Sequence, residues 1–220
     1  MLFRDRIEAG QRLAEKLTTY ANRPDVLVLA LPRGGVPVAY EVARALHAPL
    51  DILVVRKLGV PGYEELAMGA IASGGIYVLN RSVVDGFKIP KTIVQATAQR
   101  ELEEVHRRER EYRGSRPLPR IEDHTVILVD DGLATGSTMH AAVRVLRAEK
   151  AARVVVAVPV GAEETCANFR DEVDDIVCAA TPDPFRAVGL WYDDFSQTSN
   201  EEVRELLRQA WQHEPTAANR

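Results

Sequence analysis

Short runs of branched aliphatic residues recur along this chain, each followed by a loop and then by apolar residues at helical spacing. Residues 25–31 (DVLVLAL), 51–55 (DILVV), 126–129 (VILV), 153–158 (RVVVAV) and 175–180 (DIVCAA) are too short for helices and lack the polar alternation of a half-solvated strand. They read as strands buried on both faces, as in a parallel sheet. Helical stripes follow them: Val38, Val42, Ala45 and Leu46 after the first, and Met139, Ala142, Val143 and Leu146 after the third, with a further helix over 163–171. Strands alternating with helices predict an α/β fold with a doubly wound, mainly parallel sheet, right-handed crossovers and helices on both faces. Ligands of such sheets bind beyond the strand C-termini, so the loops there carry the functional reading.

The stretch 126–139 (VILVDDGLATGSTM) carries the most chemistry. Two carboxylates, Asp130 and Asp131, end the apolar run, and Gly132 and Gly136 then let backbone N–H groups approach an anion closely. Ser137 and Thr138 add hydroxyl donors where a helix begins, and a helix N-terminus favours a phosphate. Acids at a strand end with an anion cradle beyond them suit a phosphorylated sugar.

This stretch resembles the phosphoribosyl diphosphate (PRPP) signature of the type I phosphoribosyltransferases: two acids after an apolar strand, three residues, then Thr-Gly-Ser-Thr. The resemblance implies that Asp130 and Asp131 hold the ribose 2'- and 3'-hydroxyls, and that Ala134, Thr135, Gly136, Ser137 and Thr138 wrap the 5'-phosphate. It also implies that the loop after the first strand binds pyrophosphate through Arg33, Gly34 and Gly35, where that family often has a strained or cis peptide. Mg2+ is the implied cofactor, held through the substrate, with Asp130 and Asp131 as candidate ligands.

Residues 51–55 run into Arg56-Lys57-Leu58-Gly59-Val60-Pro61-Gly62, two cations at a strand end. This segment partly follows the Arg-Lys-x-Gly-x-x-Pro pattern of adenine-type members, which leads into a flexible loop over PRPP. Arg56 and Lys57 thus join Arg33, Asp130 and Asp131 as the catalytic set, and 58–80 is expected to be a mobile loop and hairpin. Residues 91–113 form the longest predicted helix, with a thin apolar stripe (Ile93, Leu102, Val105, Tyr112) on a Glu/Arg-rich surface. Alternating signs mark it as salt-bridged rather than nucleic-acid-binding, and as an insertion that is solvated or packed on a partner. The aromatic-rich stretch 181–195 is similar to the hood of purine phosphoribosyltransferases, with Phe185, Trp191, Tyr192 and Asp193 as candidate base-pocket residues.

The 220 residues are expected to form a single phosphoribosyltransferase-like domain, with the 58–80 loop, the 91–113 helix and the 181–195 hood as its elaborations. Hydrophobic residues at 46%, charged residues at 27% and a net charge of −4 describe a globular chain without a nucleic-acid-binding surface. Cys166 and Cys178, with no Cys-x-x-Cys spacing, are expected as separate core thiols. With neither an apolar leader at Met1 nor a membrane-length run, the expected location is the cytoplasm and no membrane partner is expected.

The partners expected from the resemblance are PRPP and a small-molecule base, with homo-oligomerisation suggested by the charged helix. The implied reaction displaces pyrophosphate from C1 of PRPP by a nitrogen nucleophile, purine-like bases favoured. Hypoxanthine-guanine members place an aspartate before the Thr-Gly pair, where this chain has Ala134, so an adenine-like or orotate-like loop is the closer match. A PRPP-binding regulator without catalysis is the alternative on the same fold. An unrelated kinase or hydrolase is disfavoured, because neither a P-loop nor a Ser-His-Asp pattern accompanies Ser137, and His140 reads as a helix-surface residue.

Overall fold

The computed structural model describes residues 2–212 and assembles the apolar runs into one five-stranded sheet. Its strands are β1 (Val26–Ala30), β2 (Leu50–Ile52), β6 (Thr125–Val129), β7 (Arg153–Val160) and β8 (Asp175–Ala180), in the order β2-β1-β6-β7-β8. Every pairing is parallel, with Val28 opposite Ile127 and Ile127 opposite Val155. The pleat turns Val26, Val28, Ala30, Ile127 and Val129 to one face and Leu27, Leu29, Val126 and Leu128 to the other. Helices cover both faces, which explains why the strands carry no polar alternation. α1 (Arg6–Glu15), α2 (Gly35–Leu46) and α7 (Asn200–Gln212) pack on the first face; α5 (Ser137–Ala148) and α6 (Glu163–Phe169) pack on the second. The expected α/β architecture is therefore the one observed.

Between β2 and β6 lies a separate three-stranded antiparallel sheet, β3 (Val55–Val60), β4 (Tyr63–Ala72) and β5 (Tyr77–Leu79). Here the reading of 51–55 as one parallel strand is corrected. The Leu53 N–H still reaches the Ala30 carbonyl at 2.9 Å, but at Val54 the chain leaves the parallel sheet, tied through two hydrogen bonds to Ser73. Arg56 and Lys57 therefore lie inside β3, opposite Ile71 and Ala70, rather than in a loop beyond a parallel strand. No glycine or proline marks this change of sheet, so the aliphatic run reads through it. Gly62, at φ 80°, makes the turn into β4, and a 3-10 turn over Ser73–Gly75 leads into β5.

After the short α3 (Arg81–Gly86), α4 (Lys91–Arg113) packs against β3, β4 and α7, within its own chain. Val94, Thr97, Val105 and Tyr112 form its buried stripe, while Ile93, expected inside, is 39% exposed. At the helix end, Arg113 is buried: its Nη2 and Nε donate to Asp51 Oδ1 at 2.8 and 3.0 Å, and Nη2 also reaches the Ile52 carbonyl at 2.9 Å. That pair pins α4 to the edge strand β2.

The cysteines are not separate thiols. Cys166 on α6 and Cys178 on β8 form a disulfide, their Cα atoms 6.7 Å apart. Both point into the gap between α6 and the sheet edge, a proximity that chain spacing does not reveal. Among the described residues, no helix is long and apolar enough to cross a membrane.

Candidate active site

β6 ends by delivering Asp130 and Asp131 to the C-terminal edge of the sheet. The Asp131 N–H donates to Asp130 Oδ1 at 2.9 Å, and the two acids sit in a poorly solvated corner. Burial, reinforced by the neighbouring Asp131 charge, pushes the Asp130 carboxyl well above the usual carboxylate range. Burial also raises Asp131, opposed by the guanidinium of Arg6, whose Nε lies 2.9 Å from Asp131 Oδ2.

The loop between β1 and α2 packs directly onto this pair. Its Pro32–Arg33 peptide is cis. A Cβ on Gly34 would fall onto the carboxylate of Asp131, and one on Gly35 would lie 2.8 Å from the Val129 carbonyl and 2.9 Å from Asp130 Cα. Only glycine at both positions allows this approach.

Beyond the acids, the loop is laced to the end of β7: the Leu133 N–H donates to the Val160 carbonyl, and the Ala162 N–H to the Leu133 carbonyl, both at 2.9 Å. Thr165 Oγ1 on α6 donates to the Ala134 carbonyl at 2.6 Å. Gly136, at φ 70°, turns the chain into α5 with its α-carbon against Phe169 of α6. Thr135, Ser137 and Thr138 are exposed, and among the described residues no side chain caps the first turn of α5. The first-turn N–H groups and the helix dipole therefore face open space suited to an anion. His140 stacks on Phe169 with ring centroids 4.0 Å apart and hydrogen-bonds Glu172 at 2.9 Å, placing it in the brace of the loop.

The structure brings Gly34 and Gly35 onto Asp130 and Asp131 but gives the expected cations other neighbours. The Arg33 guanidinium reaches Asn200 Oδ1 at 3.5 Å, which also accepts from the Tyr112 hydroxyl at 3.1 Å. Arg56 pairs with Glu101 of α4 at 2.9 Å. Lys57 lies beside Arg56 in β3, on the opposite face of that strand.

In the 181–195 segment, Tyr192 is only 2% exposed; its ring packs with Phe3 and Phe195, and its hydroxyl donates to the Asp131 carbonyl at 2.6 Å. The expectation of Tyr192 as a stacking platform is therefore corrected: its ring is core and its hydroxyl braces the acid pair. Phe185 and Trp191 stack on one another at 6.5 Å, half buried, and Asp193 is exposed. Trp191 Nε1 is the single buried side-chain polar atom without a hydrogen-bond partner among the described residues. The chain start is laced to this segment, with the Leu2 and Phe3 N–H groups on the Trp191 carbonyl at 3.0 Å and the Asp193 N–H on the Phe3 carbonyl at 2.9 Å.

The profile of the family described as "Phosphoribosyl transferase domain" matches residues 4–190. The chain belongs to this family. Proteins from two Mycobacterium tuberculosis strains, H37Rv and CDC 1551, whose names assign them provisionally as phosphoribosyl transferases, are each 47% identical over 209 residues, 95% of this chain. The match takes in 47% of their length, so the chain spans about half of these curated relatives. The crystal structure of TT1426 from Thermus thermophilus superposes with a TM-score of 0.86 at 40% identity, covering 95% of this chain and 99% of that one.

Within this phosphoribosyl transferase domain, Arg6 is a site-lining residue that sequence reasoning missed. It lies 125 residues from its partner Asp131 and belongs to no motif. The available local signal was Asp5-x-x-Glu8, which reads as a capping box that fixes the start of α1. Asp5 Oδ1 accepts the Glu8 N–H, and Glu8 Oε2 accepts the Arg4 N–H, both at 2.8 Å, making Arg6 the first helical residue.

Proposed function

We propose that the protein is a phosphoribosyltransferase that transfers the 5-phosphoribosyl group of PRPP to a nitrogenous acceptor, a nucleobase of purine-like shape, and releases pyrophosphate. The observation that supports this most is the packing of Gly34 and Gly35 directly against Asp130 and Asp131, beside the uncapped first turn of α5. In this reading the acids accept the ribose hydroxyls, the 134–138 loop holds the 5'-phosphate, and the backbone N–H groups of Arg33 and Gly34 serve the pyrophosphate, the Gly35 N–H being taken by the Leu31 carbonyl. The C1–O bond to pyrophosphate breaks as the C1–N bond forms, and the acceptor nitrogen gives up a proton. No protein nucleophile is needed. The chain supplies position, exclusion of water and a fixed electrostatic frame.

Two adjacent carboxylates without a third metal-binding side chain suit Mg2+, which prefers a few oxygen ligands and keeps several waters. Among the described residues no group of three or more His, Cys, Asp or Glu could hold a metal, consistent with Asp130 and Asp131 sharing the ion with substrate phosphates. When bound, the ion neutralises charge on the leaving pyrophosphate. Ala134 offers no carboxylate to take the acceptor proton, which favours an adenine-like over a 6-oxopurine acceptor.

The engagement of Arg33 with Asn200 and of Arg56 with Glu101 favours a second reading, in which PRPP is bound but not turned over. One experiment separates the two. Pyrophosphate release from PRPP with Mg2+ is measured across purine, pyrimidine and small amine acceptors, beside a thermal-shift titration with PRPP. Turnover supports the transferase, stabilisation without turnover on any acceptor supports the regulator, and no stabilisation by PRPP sinks the sugar site.

A further inference from the structure

The two acids are held differently. Asp130 accepts from the backbone of its neighbour, whereas Asp131 Oδ2 takes the Arg6 Nε–H at 2.9 Å while the same carboxylate rests against Gly34. Among the described residues no side chain donates to Asp131 Oδ1. Arg6 is itself over-determined. Its Nη1 donates to the Ser196 carbonyl at 2.8 Å, its guanidinium lies 4.0 Å over the Phe195 ring, and the capping box sets its backbone. Both members of the pair are largely shielded, with side-chain exposures of 11% and 16%. A fork with one tooth on a carboxylate and another on a backbone carbonyl fixes direction as well as charge.

We propose that Arg6 is a positioning residue for the sugar: by occupying Asp131 Oδ2 it leaves Oδ1 as the oxygen that accepts a ribose hydroxyl. The inference rests on the PRPP reading given above. Arg6 does not touch the ligand. Its work is to stop Asp131 from rotating, the guanidinium being fixed in turn by the Ser196 carbonyl and the Phe195 ring.

The test is calorimetric titration of PRPP with Mg2+ into the wild type, Arg6→Gln and Arg6→Lys at one near-neutral pH. The expected result for Arg6→Gln is about a tenfold loss of affinity. Arg6→Lys should recover part of that loss, since an ammonium can hold Asp131 but cannot span Asp131 and Ser196. Wild-type affinity in Arg6→Gln would overturn the proposal, as would an Arg6→Lys protein that binds no better than Arg6→Gln, the signature of general loosening. Should Arg6→Gln not fold, the Lys variant decides, because unchanged affinity there overturns the fork. Absence of PRPP binding by the wild type is a different outcome, which removes the sugar-site reading along with this one.

Discussion

Gly34 sits so close to Asp131 that a methyl group added at residue 34 would overlap the Asp131 carboxylate. Gly34→Ala is therefore expected to push Asp131 off its 2.9 Å contact with Arg6. The fold should survive with a loss of about 1–3 kcal/mol, the usual cost of overpacking, while PRPP stabilisation in a thermal-shift titration falls away. A Gly34→Ala protein that responds to PRPP like the wild type would contradict this geometry.

Asp130 predicts a pH dependence of stability. Its folded-state pKa is raised, so between the ordinary carboxylate range and that raised value the native state binds more protons than the unfolded chain. Stability contributed by this group is then lost as pH rises. Asp130→Asn removes the charge at nearly constant shape and should flatten that fall and raise Tm at neutral pH, by about 2–4 °C per kcal/mol recovered. Melting curves of both proteins from pH 4 to 8 check the sign; a lower Tm for the variant at pH 8 would refute it.

The Arg113–Asp51 pair gives a prediction remote from the site. Burial drives the Asp51 carboxyl upward against the pull of Arg113, so Arg113→Met leaves an unpaired acid under α4. Denaturant unfolding should show a loss of about 3–5 kcal/mol, while Asp51→Leu with Arg113→Met should recover most of it. Additive losses in the double variant would mean that the pair is not coupled.

Reduction of Cys166–Cys178 should destabilise the protein by about 2–4 kcal/mol. It should also weaken the loop at 134–136, because the tethered helix α6 carries Thr165 and Phe169. Tm with and without a phosphine reductant, for the wild type and for Cys166→Ala with Cys178→Ala, is the readout. A wild type indifferent to reductant would show that the bridge does not support the fold.

The parallel strands were legible because burial on two faces writes itself as unbroken aliphatic runs, and 126–129 and 153–158 are such runs. The loops at 33–35 and 130–138 were legible because glycines, acids and hydroxyls cluster at strand ends. The chain's switch of sheets at Val54 was not, because Ser73 makes it through two hydrogen bonds and no breaker residue announces it. Tyr192 and Arg6 were misread or missed for a related reason. Whether a tyrosine presents its ring or only its hydroxyl depends on packing partners such as Phe3, far away in the chain. A cation on the first turn of a helix looks solvated until the sheet delivers Asp131 to it.

Asp131 is held by Arg6 near the start of the chain and by Tyr192, past which the hood runs on to Ser196. A ribosome releases these braces in order, and the last follows the final strand of the parallel sheet, which ends at Ala180. A ligand captured at a fully braced Asp131, as proposed for PRPP, therefore waits until the chain has emerged through residue 196, and the sheet assembles first on hydrophobic burial.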